Sequence, residues 1–162
     1  MRDNLWLEEK LEELWEENFS DVPRQNKVTV KFGKRAYRTL GSIKYIGKLS
    51  PKDPEFKIHD DKRISQITLT RHYMDEKIPE EVVLGTIAHE MCHYAHGFNS
   101  PLKQQFEHPH RGQVIKKEMY KRELGGLYET SEGWIKKNWR AYLQATGNLK
   151  LRRRRRSRIR FF

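Results

Sequence analysis

Apolar positions along this chain recur with two different periods, and the order of those periods outlines a fold. Between residues 4 and 19, Leu7, Leu11, Leu14, Trp15 and Phe19 recur at helical spacing while glutamates fill the other face. That pattern predicts an amphipathic helix whose stripe docks on the body as core. Asp21-Val-Pro23 breaks it. The period then shortens to two. Val28, Val30 and Phe32 alternate with Lys27, Thr29 and Lys31, which predicts a half-buried strand ending at Gly33. Residues 36–46 read as a second extended stretch around Gly41. A polar, proline-containing turn covers 50–55, with a short strand expected at Phe56-Lys-Ile58. Ile64, Ile67 and Leu69, with Thr68 and Thr70, suit another strand.

The helical period returns at Pro79-Glu80-Glu81. A proline followed by acids is a helix-start signal, because the missing N–H is spare there and the dipole favours negative charge. Val82, Val83, Leu84, Ile87, Ala88, Met91 and Ala95 then predict a largely buried helix, with Gly97 as its stop. A loop with Pro101 and Pro109 follows over 99–112. Residues 113–124 read as a second helix closed by Gly125-Gly126. Trp134, Ile135, Trp139, Tyr142 and Leu143 place a third over 131–145. The expected fold is α+β: a small, mostly antiparallel sheet packed on the central helix and two or three further helices. The chain divides into an N-terminal amphipathic helix (1–20), a main domain (21–147) and a basic, disordered tail (148–162).

Composition narrows the class. At 162 residues the chain suits one domain, and hydrophobic content of 36% against 34% charge keeps its core small. A single cysteine, Cys92, excludes an internal disulfide and a Cys-x-x-Cys zinc ribbon, and a free thiol suits a reducing compartment. The acidic start is unlike a secretory signal, and the longest uncharged apolar stretch, Val82 to Ala88, is too short to span a bilayer. The expectation is a protein of the cytoplasm, nucleoid or nucleus, not secreted and without a membrane partner.

The net charge of +11 is unevenly spread: −5 over residues 1–18, +8 over 150–162 and +8 over the remaining 19–149. A body that is basic without its tail favours polyanion partners, with DNA or another nucleic acid first among them.

The candidate chemistry sits on the central helix, at His89-Glu90-Met91-Cys92-His93. Histidines one turn apart can offer two imidazole nitrogens to one zinc ion. The intervening carboxylate can then act as general base on water in that site. On a buried helix these three groups cost several kcal/mol unless something pairs them, and a metal supplies the pairing. A third ligand must come from further along. His96, His108, His110, Glu107, Glu118 and Glu123 are the candidates, and His96 is poorly placed because three consecutive turns rarely converge on one tetrahedral ion.

The order Leu40-Gly41, Ile67-Thr68-Leu69-Thr70, His89-Glu-x-x-His93, then His110-Arg-Gly112 with Ile115 and Met119, resembles the SprT-like zinc metallopeptidases. That group includes the DNA–protein crosslink protease Spartan. The resemblance covers about residues 37–120. It implies a zinc-dependent endopeptidase acting on protein or peptide substrates, including proteins bound or crosslinked to DNA. Glu90 would be the base, with zinc on His89, His93 and His110. One departure is visible: the family's third histidine adjoins its glycine, whereas Arg111 separates His110 from Gly112. His110 is therefore preferred to His108 by resemblance, and the strand 66–71 is expected to offer the substrate-pairing edge. Other classes remain: a nucleic-acid-binding protein with a structural or inactive zinc site, or a zinc hydrolase on a non-protein amide. Tyr94, Tyr120 and Tyr128 are read as packing ahead of oxyanion stabilisers. Cys92 is read as a buried small hydrophobe, Trp134 and Trp139 as core, and His59 and His72 as exposed.

Overall fold

A computed structural model describes residues 1–147; the basic tail expected over 148–162 lies outside the described residues. The chain runs α1 (Asn4–Asn18), β1 (Lys27–Phe32), β2 (Gly41–Lys48), β3 (Arg63–Leu69), a 3-10 turn (Arg71–Met74), α2 (Glu80–Ala95), α3 (Val114–Lys121) and α4 (Gly125–Ala145). This is the α+β arrangement of a three-stranded sheet with four helices.

The helical stripe of α1 closes one side of the core. Leu7, Leu11, Leu14, Trp15 and Phe19 are all buried, each contributing on the order of 2 kcal/mol by removal from water. Asp3 starts the helix, its carboxylate accepting from the Trp6 N–H at 2.9 Å. Asn4 then ties the helix to β1 by accepting from the Phe32 N–H.

Sheet order is β1-β3-β2. The β2–β3 pairing is antiparallel, as expected of most of the sheet, and β1–β3 is parallel, so the sheet is mixed. Period two is visible in β3, where Ser65, Ile67 and Leu69 are buried and alternate with more exposed neighbours. Being central, β3 has both edges paired, so the edge expected over 66–71 is not available; β1 and β2 are the edge strands. Two further expectations are corrected. Residues 36–40 form a loop held by Thr70, whose hydroxyl accepts from the Ala36 N–H and donates to the Ala36 carbonyl. Residues 56–58 lie in turns.

α2 is the hub, packing on α1, β2, β3, α3 and α4. It is buried over most of its circumference, which is why its sequence is apolar all round. Gly85 allows α4 to approach: a Cβ there would lie 2.6 Å from Ser131 Oγ. The pair Gly125-Gly126 opens α4 rather than closing the helix before it. No helix among the described residues is long and apolar enough to cross a membrane.

Candidate metal centre

His89, Glu90 and His93 sit in the last two turns of α2, whose C-cap is His96. The Nε2 atoms of His89 and His93 are 3.2 Å apart. Two nitrogens on one tetrahedral zinc, each at about 2.05 Å, are separated by roughly 3.3 Å. The third histidine arrives from the loop before α3. The ring of His110 lies 4.7 Å from that of His93, and 6.3 Å from that of His89. One ligand nitrogen from each residue falls within 4.8 Å of the other two. His108 is exposed and outside this group, as are Glu107 and Glu123. The turn that delivers His110 is unusual: Gly112 and Gln113 both have left-handed backbone, at φ 72° and 56°. Glycine relieves the first of these, and α3 starts directly after them.

The electrostatics suit a cation. Burial first, and then neighbouring imidazoles, push His89 well below its ordinary value and His93 down to about 3. Burial lowers His110 as well. All three rings are therefore neutral at pH 7, the form that ligates metal. Glu90 is wholly buried, and neither carboxylate oxygen has a hydrogen-bond partner among the described residues. Burial raises its pKa well above the usual carboxylate range. A buried carboxyl with no protein partner costs several kcal/mol. A donor set of three neutral imidazoles beside it fits zinc.

Room for that carboxyl comes from the sheet. A Cβ on Gly41, the first residue of β2, would lie 3.0 Å from Glu90 Oε1 and 2.7 Å from Thr86 Cγ2. Thr86 is itself fixed, donating to the Val82 carbonyl and contacting the Tyr73 hydroxyl at 3.1 Å. The sequence pattern puts Gly41 inside an extended stretch, and Leu40-Gly41 is otherwise marked only by the family resemblance. Its close approach to the helix is a contact between positions 49 residues apart, and no local pattern carries it.

Other expected site residues fall elsewhere. The Tyr94 hydroxyl points into the core and donates to Asn26 Oδ1 at 2.7 Å, while its ring packs edge-on against Trp15. Tyr120 is exposed and donates to Glu129. Cys92 is buried, with burial pushing its thiol pKa up. Trp139 is core. His72, expected on the surface, is buried edge-on to Trp139 and Tyr142 of α4. His96 and Glu118 also leave the ligand list, because they face each other at 3.2 Å.

A family model described as the SprT-like family matches residues 7–124, more than two thirds of the chain. No curated protein and no solved structure matches it.

Proposed function

The chain belongs to the SprT-like family, and from that premise we propose that it is a zinc-dependent endopeptidase acting on proteins held on nucleic acid. The observation that carries the proposal is the convergence of three neutral imidazoles beside a buried carboxyl that has no hydrogen-bond partner among the described residues. His89, His93 and His110 would hold the ion. When bound, zinc supplies a Lewis acid that polarises a carbonyl and acidifies water towards neutrality. A group of three protein ligands suits that role, since structural zinc usually takes four.

Glu90 is the general base. Burial raises its pKa well above the usual carboxylate range, and a carboxyl so placed can accept a proton and return it. It takes the proton of the water that attacks the scissile carbonyl and delivers it to the departing amine. Gly41 keeps the carboxyl at its position by offering no side chain to displace it. The substrate runs along β2, an edge strand whose first residue touches Glu90. Pairing through the backbone gives broad sequence tolerance.

Support for the nucleic-acid half is the charge of +8 over residues 19–149, which would bring the enzyme to proteins on a polyanion. The test is cleavage of an unstructured protein such as casein by the zinc-loaded chain. Glu90→Gln should keep its zinc and lose about 10²- to 10⁴-fold in rate. Wild-type activity in that variant overturns the catalytic role. Cleavage that ignores added nucleic acid at low salt overturns the coupling.

A further inference from the structure

Away from the histidines, a surface cavity of about 830 Å³ opens between the Arg71–Met74 turn, the loop before β2 and the end of α4. Arg35, Arg71 and Lys77 line it together with His72 and Tyr142. Two carboxylates also line it, and both are engaged. Asp75 accepts from the Lys77 N–H at 3.0 Å and from the Tyr142 hydroxyl at 2.8 Å. Glu76 lies 3.5 Å from the Met1 nitrogen. The guanidinium groups of Arg35 and Arg71 have no carboxylate partner among the described residues, and the charge of Arg35 reaches His72. Two guanidinium forks without a carboxylate partner among the described residues, lining one cavity with the half-buried ring of Tyr142, are the chemistry that takes phosphate and stacks a base.

We infer that this cavity is a second site, binding a phosphate group and adjoining base of a single-stranded nucleic acid. The inference rests on the nucleic-acid half of the proposed function and gives it an address. A cavity of this size admits a nucleotide, whereas a duplex keeps its bases stacked inside. The site is also joined to the metal centre. Arg35 lies in the loop that ends at Leu40-Gly41, the glycine against Glu90. That loop is pinned by the Arg71 N–H to the Lys34 carbonyl, by Thr70 on both backbone groups of Ala36, and by Trp139 Nε1 to the Tyr37 carbonyl. An oligonucleotide held here lies one hydrogen-bonded loop from the start of β2.

The experiment is fluorescence anisotropy of a labelled oligothymidylate with the full-length chain over a range of salt. Three proteins are compared: wild type, R35A/R71A and the charge-matched control K117A/K121A on exposed α3. Each single-strand phosphate contact contributes about 0.7 to the slope of log affinity against log salt. R35A/R71A should lower the slope by about 1.4 and weaken binding at least about tenfold, with the control close to wild type. Equal slopes in all three proteins, or equal losses in both variants, overturn the site while leaving nucleic-acid binding intact. A wild type that binds no oligonucleotide overturns both. Displacement of the oligonucleotide by millimolar inorganic phosphate at constant ionic strength assigns the forks to free phosphate and overturns the strand.

Discussion

His93 and His96 lie three residues apart at the end of α2, and both are buried, at 3% and 1% exposure. Their surroundings are opposite. His93 faces two other neutral imidazoles, one brought by His110 from a loop. His96 faces Glu118 of α3 at 3.2 Å. Glu118 in turn accepts from Arg122 at 2.9 Å, and Arg122 reaches Asp21 beyond α1. The second neighbourhood is a chain of polar and ionic contacts tying α1, α2 and α3 together. The first gathers three imidazoles whose nitrogens lie within 4.8 Å of one another, which suits an added cation. The same residue type on the same helix end thus suits a metal site or an interhelical contact according to what a distant segment presents to it.

The largest expected effect separates the two directly. Glu118→Gln removes the central charge of a chain whose members are mostly buried, with 14% of the Glu118 side chain exposed. It should cost about 3 kcal/mol in denaturant unfolding, since a broken buried pair leaves its partners uncompensated. Zinc content should stay at the wild-type level. Loss of zinc with unchanged stability would erase the distinction between the two histidines.

The next prediction concerns acid. Contact with His96, and then the charge of Arg122, hold Glu118 below its ordinary value of 4.5 against the opposing effect of burial. In the unfolded chain it returns to that value, so its contribution is whole above about pH 4.5 and is lost as pH falls through the lower folded value. Unfolding curves of wild type and Glu118→Gln should therefore converge below that range. A gap that persists in acid contradicts the assignment.

A smaller effect sharpens the first neighbourhood. Gly41→Ala puts a methyl 2.7 Å from Thr86 Cγ2 and 3.0 Å from Glu90 Oε1, so the start of β2 and this face of α2, the carboxyl included, must give way. Turnover should drop about tenfold with zinc unchanged, because misplaced catalytic groups lose rate steeply. Full activity in that variant would show that β2 does not position the base.

Much of this was legible in the sequence where the cause is local. The α1 stripe, the alternation of β1, the strand-forming residues of β3 and the start signal of α2 each depend on neighbours within a few residues. His89, Glu90 and His93 were legible for the same reason, being one helical turn. Strand order was not, since period two says which face is buried and nothing about which strand lies alongside. The edge expected at 66–71 therefore proves to be the central strand. His72 was misplaced because the rings that bury it come from Trp139 and Tyr142, far along the chain. Nor could spacing alone select His110 over His108, because the loop between α2 and α3 has no period. Two consecutive left-handed residues, Gly112 and Gln113, set the direction from which α3 departs.

The most direct measurement is the zinc content of purified wild type, His110→Ala and His108→Ala. A centre made by His89, His93 and His110 predicts about one ion per chain in wild type and in His108→Ala, and its loss in His110→Ala. Equal zinc in all three proteins, or loss in His108→Ala alone, contradicts it.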